Sequence, residues 1–158
     1  MLMTKTIDSP LGALRLFARG DALTGVYLPV QPAPVAPAGA HPVLARAAQQ
    51  LAAYFAGEQR TFDLPLAASG TNFQRRVWDQ LVAIPYGETR SYGELARMID
   101  RPAASRAVGS ANARNPISII VPCHRVIAGT GALTGYAGGM AAKEWLLAHE
   151  LAALRRCA

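Results

Sequence analysis

The stretch SYGELARMIDRPAASRAVGSANARNP, residues 91–116, decides how the chain is read. Ser91 stands three residues before Glu94, the S-x-x-E form of a capping box, so a helix is expected to open there and run over about 92–99. Asp100-Arg101-Pro102-Ala103 reads as a turn. A further helix is expected over about 103–114, ended by Asn115-Pro116, because proline disfavours helix in the residue before it. Two short helices joined by a tight turn outline a helix-turn-helix. The second is slim, with Ala103, Ala104, Ser105, Ala107, Gly109, Ser110 and Ala111 along it. A slim helix can approach another surface closely or pack tightly in a core, and pattern alone leaves both readings open. Arg106 and Arg114 project from it, and between Arg90 and Arg125 six arginines stand against two acids. That local excess favours a polyanionic partner.

Immediately upstream, TNFQRRVWDQLVAI repeats Phe73, Val77 and Leu81 at four-residue spacing, with Trp78 and Ile84 beside them. This predicts an amphipathic helix stopped by Pro85 and a turn at Tyr86-Gly87. Downstream, NPISIIVPCHRVIAGTG (115–131) predicts a short buried strand or extended segment over 117–121, ended by Pro122, and then a glycine-rich hairpin or wing. The last periodic segment, MAAKEWLLAHELAAL, predicts a helix with Trp145, Leu146 and Leu147 toward the core.

The first 28 residues read as a small strand meander, with turn signals at Ser9-Pro10 and Arg19-Gly20-Asp21. Residues 29–42 hold five of the eleven prolines and read as a connector. Residues 43–56 carry a helical apolar pattern with Gly57 as C-terminal cap. A second connector, 58–70, suggests two domains, 1–68 and 69–158. The net charge of +6 is uneven: the first domain carries +1 and the second +5, nearly all as arginine, whose planar fork suits phosphate. No apolar run approaches a membrane span, and the start shows no signal-peptide region, so a cytoplasmic location and no membrane partner are expected.

Of two cysteines, Cys157 is penultimate and Cys123 sits between an apolar run and His124-Arg125. They make no disulfide framework, and no second Cys/His pair stands at zinc-ligand spacing, so no metal site is expected. A packing cysteine needs no such neighbours; a nucleophile acts through its thiolate. At an ordinary pKa about 5% is ionised at neutral pH, so full ionisation gains only about 20-fold. Most of any rate must come from positioning the electrophile. His124 could take the proton, with Glu150 to orient it, and Asn115 could fix the turn nearby. Burial of Cys123 as a small core hydrophobe is the plain alternative.

At these residues the chain resembles the O6-alkylguanine-DNA alkyltransferases. NPISIIVPCHRVI, GYAGG and LLAHE carry the resemblance, with IPYGETRSYGELA and SRAVGSANARNP. It is strong over 71–152, weaker but consistent over 1–70, and the length is similar to the short bacterial form. The resemblance implies an α+β fold: an N-terminal ribonuclease-H-like β-sheet domain and a C-terminal helical domain with a winged helix-turn-helix. It implies DNA repair by single-use transfer of an alkyl group from O6-alkylguanine, and also from O4-alkylthymine, in double-stranded DNA to Cys123. The helix-turn-helix would bind the minor groove and the damaged base would flip out.

The same resemblance implies roles. Cys123 is the acceptor, His124 a water-linked base, Glu150 the orienting carboxylate and Asn115 a hinge. Tyr92 crowds a phosphate and can donate to the departing guanine. Arg106 is a finger filling the place of the extruded base. Arg101, Ser105, Ala107, Gly109, Asn112 and Arg114 join Tyr92 and Arg106 at the DNA. Tyr136, Val126, Ala137 and Arg125 form the alkylguanine pocket. No cofactor is implied, and the protein would act on the nucleoid as a monomer, with cooperative DNA binding left open. Two residues depart from some members: Ala137 replaces a hydroxyl residue, and Asn112 is polar where some are apolar. A lesion-binding relative would lack the cysteine. A winged-helix regulator would not need Cys-His with a distant Glu, and a cysteine hydrolase would need an oxyanion motif not evident here.

Overall fold

The computed structural model describes residues 1–131 and 135–156; Cys157 and the centre of the expected wing, 132–134, lie outside the described residues. Two units emerge: Met1–Ser69 with Pro116–Ile120, and Gly70–Asn115 with Val121–Ala158.

The first unit is built on an antiparallel sheet in the order β1 (Leu2–Ile7), β2 (Leu14–Arg19), β3 (Ala22–Tyr27). Alternation places Leu14, Leu16 and Ala18 of β2, and a register shift in the β2–β3 pairing sets Leu23 and Val26 of β3 beside them, in a core covered by helix α1 (Pro42–Phe55) through Leu44, Ala47, Leu51 and Tyr54. Burying side chains of this size stabilises by about 1.5–3 kcal/mol each. Helix α1 opens with His41 accepting from Val43 N–H and Pro42 in the first turn. It closes in a Schellman motif: Gly57, at φ 78°, donates to Tyr54 and Glu58 donates to Ala53.

Proline-bearing segments close the sheet edges. Pro37 accepts from Thr4 on the β1 edge, and Pro65 and Pro116 accept from Leu23 and Val26 on the β3 edge. Ala67 and Ser118 N–H donate back to Leu23 and Val26 O, so each β3 contact is a single parallel bridge that a proline keeps from extending toward its own side.

The second unit is helical. Helix α2 (Asn72–Val82) starts with a capping box between Thr71 and Gln74 and buries Val77, Trp78 and Leu81. Trp78 Nε1 donates to Ala111 O at 2.8 Å, tying α2 to the later α4. The two-residue strand β4 (Arg90–Ser91) leads into α3 (Tyr92–Met98), whose expected capping box forms with both bonds at 3.0 Å. A turn leads to α4 (Ser105–Ala113), shorter than the sequence suggests because Ala104 supplies no side-chain cap. A 3-10 helix (Cys123–Arg125), strand β5 (Val126–Ile127) parallel to β4, and α5 (Met140–Arg156) complete the unit.

Two expectations are corrected. The strand or extended segment expected over 117–121 is a buried turn, and Pro116–Ile120 groups with the first unit. Pro116 and Pro122 lack N–H donors at its two ends, while Ile120 N–H closes back on Ser118 O at 2.8 Å around Ile119 at φ 73°. A β-branched residue in that region is strained, so neighbouring structure holds it there. Of the expected hairpin or wing, the described residues show an Ala128–Gly131 turn, and its centre lies outside them. On α5 the buried stripe is Lys143, Leu146, Glu150 and Ala153, while Trp145 and Leu147 are half-buried. Two of those four are charged, which hid the stripe from an apolar count. Among the described residues no helix is long and apolar enough to cross a membrane.

Candidate functional site

The chain reaches Cys123 through Pro122 at φ −82°, ψ 65°, with Cys123 N–H donating to Val121 O at 2.8 Å. That is an inverse γ-turn. Two asparagines at the end of α4 fasten it: Asn115 Nδ2 donates to Val121 O at 2.8 Å and Asn112 Nδ2 to Cys123 O at 3.3 Å. From the other side, α5 holds residues 124–126. Lys143 Nζ donates to Val126 O at 2.6 Å, and Glu150 takes His124 and Arg125.

Glu150 is fully buried and accepts four hydrogen bonds. Oε1 receives Gly87 N–H at 3.0 Å and Arg125 Nε at 2.9 Å; Oε2 receives His124 Nε2 at 2.8 Å and Arg125 Nη2 at 3.0 Å. Burial alone would raise its pKa, but hydrogen bonds from His124 and Arg125, and their charges, hold the carboxyl well below the usual range. The carboxylate is therefore ionised, and an ionised carboxylate only accepts. So His124 Nε2 carries its hydrogen and Nδ1 is the basic nitrogen. Nδ1 is buried and has no hydrogen-bond partner within the protein. Burial depresses the His124 pKa below its ordinary value, outweighing the Glu150 hydrogen bond and charge, so the neutral imidazole prevails at pH 7. For Cys123, burial raises the thiol pKa; hydrogen bonds from Asn115 and Tyr136 and the Lys143 charge oppose the shift without cancelling it. The resting group is a protonated thiol beside a neutral base.

The fold thus brings together Cys123, His124, Arg125, Val126, Asn115, Tyr136 and Glu150. Two expected placements change. Arg125, expected in a base pocket, commits its guanidinium to Glu150 and to Ile84 O at 2.8 Å, over the Tyr86 ring. A buried carboxylate needs a paired cation, and Arg125 is that cation. Asn112, expected at an outer surface, is only 4% exposed. Val108, Ala111, Asn112 and Asn115 follow helical spacing and form the buried face of α4 and its end.

The remaining predicted residues lie on α3, α4 and the turn between them, with Ala137 ahead of α5. Arg106, Ala107 and Arg114 lie exposed on the opposite face of α4, with Ser105 and Gly109 half-buried at its margins. Arg114 bonds Ser110 along that face, and Arg101 is exposed in the preceding turn. Tyr92 is half-buried at the start of α3, its ring in ordinary contact range of a Cβ placed on Gly109. Ala137 is exposed. Sequence reasoning missed Lys143, which is fully buried. The signal was there: it is one of two lysines in an arginine-rich chain, seven residues before Glu150 on one helix face.

Comparison with known proteins adds to this geometry. The family model for the ribonuclease-like domain of 6-O-methylguanine DNA methyltransferase matches residues 2–68, and that for its DNA binding domain matches 72–152. A methylated-DNA–protein-cysteine methyltransferase of Mycolicibacterium paratuberculosis is 52% identical over 95% of this chain and 93% of its own length. One from Methanosarcina acetivorans is 64% identical over 66% of this chain and 67% of its own. The crystal structure of Mycobacterium tuberculosis OGT in complex with DNA superposes with a TM-score of 0.91 at 50% identity, covering 96% of this chain and 94% of that one. The ribonuclease-like and DNA-binding halves agree with the α+β expectation from sequence.

Proposed function

The chain belongs to the methylated-DNA–protein-cysteine methyltransferase family, and from that premise we propose that it repairs duplex DNA by moving the alkyl group of O6-alkylguanine onto Cys123, once per molecule. The observation that carries this reading is the buried His124–Glu150–Arg125 network directly behind Cys123. A neutral imidazole with a free Nδ1 beside a protonated thiol is a base awaiting a proton.

In the proposed step the thiol proton passes to His124 Nδ1, directly or through water. Sγ attacks the alkyl carbon, the carbon–O6 bond breaks, and its electron pair leaves with guanine. Atoms and charge balance without a cofactor. Glu150 keeps the imidazole in the productive tautomer and stabilises the imidazolium as it forms. A hydrogen bond to the departing base offsets its developing charge, a role we assign to Tyr92. The thioether formed is stable and no residue here cleaves it, so the acceptor is consumed. O4-alkylthymine presents an equivalent carbon–oxygen bond and is a second substrate on this reading.

Reaching O6 inside a stacked duplex requires extrusion of the base, at a cost of a few kcal/mol that a poorly pairing lesion lowers. The exposed face of α4, with Arg106, Ala107 and Arg114, fits a narrow minor groove. Arg106 fills the vacated place in the stack, Tyr92 promotes rotation of the nucleotide, and Tyr136 with Val126 receives the base. Arginines such as Arg101 supply the salt-dependent phosphate term. On this reading the protein acts as a monomer on chromosomal DNA in the cytoplasm.

The test uses a duplex with one O6-methylguanine carrying an isotopic methyl label. Digestion of the protein should find the label on the peptide containing Cys123. Label remaining on the DNA, or found on another residue, refutes the assignment.

A further inference from the structure

Asn112 is a buried polar residue that neither the base relay nor the DNA face uses. It is 4% exposed, and its side chain splits into two unequal halves. Nδ2 donates to the carbonyl of Cys123 at 3.3 Å, whereas Oδ1 is buried with no hydrogen-bond partner. The amide cannot be reversed, because Oδ1 would then face the Cys123 carbonyl oxygen, acceptor against acceptor. A buried acceptor left unsatisfied carries a desolvation penalty that an apolar side chain of similar size would avoid. The donor half is the part that returns something for it.

Its return is geometric. Asn115 and Asn112 stand three residues apart on one face of α4 and its end, and they grip carbonyls two residues apart, Val121 and Cys123. Between those carbonyls the proline ring fixes one torsion, leaving Pro122 ψ and the Cys123 backbone soft. Of the Cys123 interval's backbone, Asn115 holds the near end at Val121 O, its other hydrogen bond going to the Cys123 thiol. The Cys123 carbonyl also accepts from Val126 N–H, but that bond is internal to the 3-10 helix and moves with it. The Asn112 bond references the Cys123 backbone to α4.

We propose that Asn112 is a positioning residue for alkyl transfer: by donating to the Cys123 carbonyl from the buried face of α4, it fixes with Asn115 the direction in which Sγ is presented. The proposal rests on the reading of Cys123 as the acceptor. It also gives the helix assigned to the DNA a second fixed point on the reactive residue.

The experiment compares the wild-type protein with Asn112→Leu and Asn112→Met, two apolar replacements that keep bulk and remove the donor. Three quantities are measured for each: the melting temperature, the Kd for an O6-methylguanine duplex, and the first-order methyl-transfer rate constant at saturating protein. The expected result is an unchanged or raised melting temperature, a Kd within about twofold, and a rate constant lower by about 10- to 100-fold, the range for ångström-scale misplacement of a reacting group. A folded variant that transfers within about twofold of wild type overturns the proposal, as does slower transfer accounted for wholly by lost duplex binding. If the wild type transfers no methyl group, the reading of Cys123 fails first and this proposal falls with it.

Discussion

Replacing Glu150 by glutamine tests the base relay at its anchor. The side chain keeps its size, but the charge and half of its acceptor capacity go. In the native site two oxygens take four donors, from Gly87, His124 and two nitrogens of Arg125. A glutamine oxygen can face one pair of donors; its NH2 must then confront the other pair. If the NH2 meets His124, the imidazole moves its hydrogen to Nδ1 so that Nε2 can accept, and the basic nitrogen is lost. Arg125, 5% exposed, becomes a buried cation without its carboxylate. Breaking such a pair costs about 3–5 kcal/mol, a large share of a total stability of about 5–15 kcal/mol. The transfer rate should fall by about 100-fold or more, within the usual range for a general base; the raised thiol pKa of Cys123 makes the loss larger than an ordinary cysteine would suffer.

The assay is single-turnover methyl transfer well below the variant's melting temperature, alongside urea unfolding from pH 3 to 7. The sign of the pH effect comes from the depressed carboxyl. The Glu150 contribution is complete above the unfolded pKa of about 4.3 and is lost as pH falls below it toward the folded value. Wild type should therefore lose stability below about pH 4 more steeply than Glu150→Gln. A folded Glu150→Gln protein that transfers at the wild-type rate would refute the relay.

Other consequences are equally direct. Because burial holds His124 below its usual pKa near 6.5, the transfer rate should stay level from pH 7 down past 6.5 and fall only at lower pH; a half-point above 6.5 would contradict the neutral resting imidazole. Exposed Arg101 changed to Ala should weaken duplex binding and lower the salt slope by about one, with the melting temperature unchanged; equal binding at every salt concentration would remove it from the interface. Gly87 sits at φ 79°, a Cβ there would meet Leu154 Cδ1, and its N–H serves Glu150. Gly87→Ala should lose about 1–2 kcal/mol from backbone strain and more from the displaced leucine, read as a lower urea midpoint, with slowed transfer.

Much of this was readable in the chain. The S-x-x-E box announced α3, the four-residue spacing announced α2, and Asn115-Pro116 ended the slim α4. Those signals are local, and local hydrogen bonding and sterics decide them. Cys123-His124 and the distant Glu150 were recognisable as a set because their residue types have few other reasons to recur together. What escaped was decided by tertiary context. Residues 117–121 look like a strand by composition, but pairing stops at the single Ile117–Val26 bridge and Ile119 adopts a positive φ that no propensity would assign it. Arg125 reads as a surface or pocket cation until the buried Glu150 is seen to need it. Lys143 and Asn112 occupy core positions of their helices, where an apolar count skips them and only helical spacing would have placed them.

The most direct test of the central claim is a count of transfers. The protein is mixed with a large excess of O6-methylguanine duplex and its intact mass followed to completion, beside a Cys123→Ser variant. The account predicts a plateau at one methyl group per molecule, repair of DNA equal to the protein present, and no addition to the variant. Repair exceeding the protein concentration, an unchanged mass, or methylation of Cys123→Ser would contradict it.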